Sequence, residues 1–211
     1  MATLLYLGHG SLRLTTDAGK TIYIDPFMSP DGQGSSKGYE VPADLVLVTH
    51  QHYDHTGTEK MPHAAGCVVW QNGDSHPDAT TYLTKAFLDG AVEVQAVEAY
   101  NHHHRKDECV GYVVHVDGLT LYFSGDTGPT NQMRELAGMC IDYAFLPCDG
   151  IYTMTPEEAA ECAALVGARH NVPVHMKPVE PYSEQVARRF AAAAPNALLV
   201  RPGVPTGLSK E

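Results

Sequence analysis

The sequence predicts an α/β protein built on two β-sheets that face each other, and three observations carry that prediction. β-prone runs alternate with amphipathic helical stretches, the pattern of helices layered on a sheet. The first part of the chain (meander, then strand and helix) and the last part (hairpin, then strand and helix) have similar element content. Chemistry-bearing residues also recur at strand ends: Asp25, His50, the histidines within 101–104, Asp126 and His175. In layered α/β proteins, sites collect where strand ends converge. At 211 residues and 44% hydrophobic, one domain over 1–211 is expected.

Thr3 to Leu7, Ser11 to Thr15 and Thr21 to Ile24 read as an antiparallel meander, turned at Gly8-His9-Gly10 and at Asp17-Ala18-Gly19-Lys20. Pro26 stops the ladder and leaves the Asp25 carboxylate at the strand's end. Residues 26 to 44, with Gly32, Gly34, Ser35, Ser36 and Gly38, form a long connection that is either substrate-facing or mobile. Leu45 to Val48 is continuously apolar, as a fully buried strand is. It leads straight into Thr49-His50-Gln51-His52-Tyr53-Asp54-His55.

A helix is expected near Thr56 to Lys60, a strand at Cys67 to Trp70, and an amphipathic helix from about Asp78 to Leu88, stopped by Asp89-Gly90. Val92 to Val97 is the next strand, followed by Asn101-His102-His103-His104 and a hairpin, Gly111 to Val116 and Leu119 to Phe123, turned by Asp117-Gly118. Ser124-Gly125-Asp126-Thr127-Gly128 leaves that hairpin. A helix from Asn131 to Ala137 and a strand from Tyr143 to Leu146 then reach Pro147-Cys148-Asp149-Gly150. Thr155-Pro156-Glu157-Glu158 is a helix start, with threonine at the N-cap, proline at the first helical position and glutamate three after the cap. That helix stops at Gly167. A strand around Val172 to Val174 presents His175, a helix spans Ser183 to Ala194, Leu198 to Val200 closes the sheet, and 202–211 is expected to be a loose tail.

Lys plus Arg is 14 and Asp plus Glu 25, a net charge of −11, so the average field repels nucleic acid and anionic membranes. A small-molecule substrate is the expected partner. Cys67, Cys109, Cys140, Cys148 and Cys162 are odd in number and show no CxxC pair, the pattern of reduced thiols. The N-terminus lacks a basic n-region and no apolar run is long enough to span a bilayer, so a cytoplasmic protein is expected.

Four metal-capable side chains within six residues name a metal site, because imidazole nitrogen and carboxylate oxygen suit borderline divalent cations such as zinc. In an extended loop His50 and His52 can serve one ion while Asp54 and His55 turn toward a second. His50, His52, Asp54 and His55 match the HxHxDH signature, and the chain thereby resembles the metallo-β-lactamase superfamily of metal-dependent hydrolases. Ile24-Asp25-Pro26, Ser124-Gly125-Asp126-Thr127 and Val174-His175 resemble three further family motifs. Leu7-Gly8-His9, Ala99-Tyr100-Asn101, Gly111-Tyr112 and Met154-Thr155-Pro156-Glu157-Glu158-Ala159 resemble the branch of small hydrolases related to ascorbate-6-phosphate lactonase.

The resemblance implies a four-layer αββα sandwich with two mixed sheets and a dinuclear centre at one edge. It places His50, His52 and a third histidine on one ion, Asp54, His55 and His175 on the other, and Asp126 between them. His104, seven residues before Gly111, is favoured as the third histidine, with His102 as runner-up. Adjacent residues of an extended segment point oppositely, so His102, His103 and His104 cannot all serve one ion.

Two divalent ions are expected, zinc first, with manganese or iron as alternatives. Such a pair activates a water as hydroxide to attack an ester-like bond, whether phosphodiester, lactone or a related group. Asp54 would orient that hydroxide as well as ligate. Asp25 would hold a histidine's free N–H or the local backbone rather than touch metal. His9 either reaches the substrate or caps a turn, and Cys148 borders the pocket or is buried. His63, His76, His115 and His170 are expected to be structural or solvent-exposed. One alternative is a non-enzymatic metal-binding or regulatory protein that keeps the site. Another is a di-iron redox protein, which Gln51 opposes because such proteins carry an acidic residue there.

Overall fold

The N-terminal meander folds as expected. In a computed structural model that describes residues 1–27, 38–78, 80–178 and 180–210, β1 (Thr3–Gly8), β2 (Ser11–Thr15) and β3 (Thr21–Ile24) pair antiparallel in succession. β4 (Ala43–Val48) and β5 (His63–Gln71) add in parallel. The second sheet holds β6 (Thr84–Phe87), β7 (Val92–Glu98), β8 (Val110–Val116), β9 (Leu119–Phe123), β10 (Tyr143–Pro147) and β11 (His170–Val174) in spatial order β11-β10-β9-β8-β7-β6. A twelfth strand, β12 (Pro205–Gly207), lies on the free edge of β1, so each sheet has six strands, and both are mixed.

Alternation along the strands builds three cores. Leu4, Tyr6, Leu12, Ile22 and Leu45 of the first sheet meet Val94, Tyr112, Leu121 and Phe145 of the second in a shared interior. The alternate residues of the second sheet, among them Val113, Tyr122, Ala144 and Leu146, face outward onto α3 (Pro156–Val166) and α4 (Glu184–Ala193). On the far side, Leu5, Leu7, Tyr23 and Val46 pack under Tyr39 and Met61, the latter just after a 3-10 turn at Gly57–Lys60. These layers are those of the αββα sandwich. The cap of α3 is reciprocal, with Glu158 N–H donating to Thr155 Oγ1 and Thr155 N–H to the Glu158 carboxylate.

The structure corrects several expectations. The stretch from Asp78 to Leu88 is not a helix. Asp78 Oδ1 accepts the N–H groups of Thr80 and Thr81, which turns the chain, and Thr84–Phe87 then pairs antiparallel with β7 as an edge strand. A short helix, α1 (Asn72–Ser75), instead follows β5 directly, while α2 (Met133–Leu136) is a single turn continued by a 3-10 turn. Leu198 to Val200 forms no strand: Leu198 N–H donates to Asn171, and Val200 packs into the shared interior without a ladder. Of the 26–44 connection, residues 28–37, including Gly32, Gly34, Ser35 and Ser36, lie outside the described residues.

The tail is not loose. Besides β12, Leu208 is 1% exposed and donates its N–H to Ala2, and Tyr143 exchanges hydrogen bonds with the Ser209 backbone. Leu208→Ala should therefore cost about 2–4 kcal/mol in equilibrium denaturation. An unchanged midpoint would return these residues to solvent.

Candidate metal centre

The site is assembled from strand exits of both sheets. β3 is followed directly by Asp25, a buried residue at φ +46°, and β4 by Thr49. Thr49 N–H donates to Asp25 Oδ1 and Thr49 Oγ1 to Asp25 Oδ2, both at 2.7 Å, while Val110 N–H donates to Thr49 O across the sheets. Gly125 sits against this junction at φ +62°. A Cβ there would lie 2.8 Å from Val110 O and 2.9 Å from Thr49 Cβ, so only glycine fits.

Metal-capable side chains gather in two separate groups, and Asp25, His50 and His55 form a third set that overlaps both. His50, His52 and His104 bring their rings within 4.6–4.9 Å of one another. His9, Asp54, His55 and His175 form the other, with His55 and His175 stacked at 5.5 Å and 13°. Asp126 stands between them: its Oδ2 is 3.4 Å from His104 Nε2, 3.6 Å from His55 Nε2 and 3.3 Å from His175 Nε2. His102 and His103 are exposed. Asn101 Oδ1 accepts the N–H groups of both His103 and His104, and that turn carries His104 inward.

Three of the histidines, His50, His55 and His104, share one orientation. Thr49 Oγ1, which gives its proton to Asp25, lies 3.0 Å from His50 Nδ1 and is left to accept there. Asn101 Oδ1 lies 3.0 Å from His104 Nδ1, and Asp25 Oδ2 lies 3.0 Å from His55 Nδ1. An acceptor at Nδ1 places the ring proton there and leaves Nε2 as a lone pair. The Nε2 atoms of His50, His55, His104 and His175 are all buried without a hydrogen-bond partner. Four such nitrogens, three of them facing the Asp126 carboxylate, fit a bound cation, because without one each is desolvated with no compensating bond.

Electrostatics point the same way. Burial, reinforced by His55, holds His50 well below the ordinary imidazole range, and burial with His104 lowers His52. Burial opposes ionisation of Asp126 and Asp54. Nearby His175 and His55 nonetheless hold Asp126 well below the carboxylate range, and His175 and His9 do the same for Asp54. The two carboxylates thus enter the site ionised. His55, despite burial, is raised well above its usual value by Asp126 and Asp25.

A cavity of about 470 Å³ opens over this arrangement, lined by Gln51, His52, Tyr53, Asp54, His104, Asp126, Tyr152, His175 and Pro178. His9 does not line it. Its Nε2 lies 2.8 Å from Asp54 Oδ2 and its ring 3.8 Å from that of His175, while its backbone is tied to Pro181 and His175, so it backs those two side chains from outside the cavity. Cys148 is also absent from the lining: burial raises its thiol, which is fully enclosed and donates to Val174 O. Lys177 sits 3.8 Å from Glu180. His76 is held by the Thr81 and Lys106 carbonyls, and neither it nor His63, His115 or His170 enters the metal-capable groups among the described residues. Sequence reasoning passed over Thr49, Asn101 and Gly10 as site residues; a Cβ on Gly10 would lie 3.0 Å from the His55 ring. The Asn101-x-x-His104 spacing, that of an Asx turn, was the available signal for the third histidine.

Comparison with known proteins identifies the family. Residues 3–175 match the family described as the beta-lactamase superfamily domain. A UPF0173 metal-dependent hydrolase of Thermococcus kodakarensis is 31% identical over 96% of this chain and 98% of its own, and one of Lysinibacillus sphaericus is 32% identical over 91% and 92%. Among solved structures, a metallo hydrolase from Ignicoccus hospitalis superposes with a TM-score of 0.72 over 99% of both chains at 22% identity, a likeness of fold. Among the described residues no helix is long and apolar enough to cross a membrane.

Proposed function

The chain belongs to the beta-lactamase superfamily and is a metal-dependent hydrolase, and on that premise we propose that it holds two divalent ions and cleaves an ester-like bond, phosphodiester, lactone or related, in a small molecule. The observation that carries this reading is Asp126, whose Oδ2 faces Nε2 atoms of both histidine groups. His50, His52 and His104 would hold one ion, Asp54, His55 and His175 the other, and Asp126 both. The donor set, imidazole nitrogen with carboxylate oxygen, suits zinc first and manganese or iron next. Two such ions supply Lewis-acid polarisation of a substrate oxygen and lower the pKa of a water toward ~7.

The chain's own residues do the rest. Asp54 is at once a ligand and a wall of the cavity, so its carboxylate is placed to orient the attacking water. His9, at 2.8 Å, fixes that carboxylate. Asp25 sets His55 and the Thr49 backbone without facing the cavity. Tyr53, Tyr152 and Pro178 shape a space suited to a drug-sized or smaller substrate. All five cysteines are free thiols, which supports a reducing, cytoplasmic setting.

Elemental analysis of protein loaded with zinc or manganese should give about two ions per chain. His50→Ala should lose metal and hydrolysis together across a panel of phosphodiesters, lactones and thioesters. A His50→Ala variant that keeps its activity, or loaded wild type with one ion, overturns the two-ion reading.

A further inference from the structure

Of the four histidines whose buried Nε2 is unpartnered, His50 and His104 have a hydrogen-bonding oxygen at Nδ1, supplied by Thr49 and Asn101, and Asp25 Oδ2 lies 3.0 Å from the Nδ1 of His55. His175 is held differently. Its N–H donates to His9 O, its carbonyl accepts from Cys148 N–H, and its backbone adopts φ +43°, so the main chain is fixed from both sides. Its Nδ1, like that of His55, is buried without a hydrogen-bond partner, and its nearest carboxylate stands farther off. The oxygen facing it, at 3.5 Å, is Asp149 Oδ2, itself buried and equally without a partner.

The other carboxylate oxygen is fully used. Asp149 Oδ1 accepts the N–H groups of Ile151, Tyr152 and Thr153 and the Thr153 hydroxyl, at 2.9–3.0 Å. That turn presents Tyr152 to the cavity, and the Tyr152 carbonyl accepts Asn101 Nδ2–H at 3.0 Å. Asn101 Oδ1 is the acceptor beside His104 Nδ1. One carboxylate therefore touches the ring of His175 directly and reaches His104 through a turn and an amide.

We infer that Asp149 is a positioning residue of the centre: Oδ2 holds the Nδ1–H tautomer of His175, and Oδ1 ties down the turn that braces Asn101 and His104. This rests on the reading that His175 and His104 are ligands. The reason for a carboxylate is acceptor capacity. Four donors bind Oδ1 while the His175 ring faces Oδ2, and a carboxylate has an oxygen for each side where an amide has only one. An amide keeps Oδ1 for the turn and places an NH₂ against His175. The ring then has to accept at Nδ1 and carry its proton on Nε2, where it cannot take a cation.

The test begins with the full-length wild type, so that it does not depend on a variant folding. Imidazole ¹⁵N spectra of the metal-free chain, with His175 assigned by its loss in His175→Gln, should show the Nδ1–H tautomer; an Nε2–H tautomer overturns the assignment. Asp149→Asn should shift His175 to Nε2–H. In zinc titrations it should weaken one ion by about 10–100-fold and leave the other at wild-type affinity. An unchanged tautomer in Asp149→Asn, or both ions weakened alike as a merely loosened turn would do, overturns it too. If wild type takes up one ion or none, the two-ion reading fails, while the tautomer of His175 still decides the role of Asp149.

Discussion

Asparagine in place of Asp126 is expected to lower kcat/KM by about 10³-fold, equivalent to about 4 kcal/mol of lost transition-state stabilisation. The change is isosteric, so its effect isolates charge and lone pairs. Asp126 Oδ2 lies 3.3–3.6 Å from Nε2 of His104, His55 and His175 alike, and those nitrogens point lone pairs at it when their protons sit on Nδ1. An amide removes one negative charge and can place an N–H where the proposed centre requires an oxygen. Metal content should fall with activity. Turnover within tenfold of wild type, with two ions retained, would remove Asp126 from the centre.

Asp126, like the histidine cluster, was legible because ligands are local: a buried strand ends, and the residues after it carry nitrogen or oxygen. The strands were legible for a related reason. Their inward and outward faces are both apolar or strictly alternating, so Leu4 and Tyr6 separate from Leu5 and Leu7 by period two. What the sequence hid was set by partners far along the chain. Asp78 to Leu88 carries a helical spacing of apolar residues, yet the Asp78 side chain captures its own backbone and β7 offers a free edge. The tail is polar and short, and it is held because the outer edge of β1 is open to it.

The same division runs through the site. Thr49, Asn101 and Asp149 read as turn residues, and each does make local backbone bonds or sit in a turn. Their second contacts, to imidazole Nδ1 atoms, depend on how two sheets meet. His9 shows the point most directly: its sequence position suggests a turn, and the fold brings its ring 3.8 Å from that of a histidine 166 positions away, His175.

Asp25→Ala is expected to destabilise the metal-free protein by about 3–5 kcal/mol, which for a chain of this size lowers the melting temperature by roughly 10 °C. The aspartate accepts two 2.7 Å hydrogen bonds from Thr49, one from a backbone N–H, at a junction that is fully buried. Alanine leaves both donors without a partner, each worth about 1–3 kcal/mol, and φ +46° suits aspartate better than alanine. Because the loss arises before any ion binds, it separates Asp25 from Asp126, whose substitution acts through the ions. The second consequence is chemical: His55 Nδ1 loses the oxygen 3.0 Å away, so metal affinity at the Asp54, His55, His175 group should drop as well. Asp25→Asn divides the two effects. Its carbonyl oxygen can still accept Thr49 N–H, so most of the fold's stability should return, whereas its NH₂ meets Thr49 Oγ1 and His55 Nδ1 and leaves the ion weakly held. Melting of both variants after chelation, followed by zinc titration, checks the division; an Asp25→Ala protein that melts with wild type when metal-free would show that the carboxylate serves the ions alone.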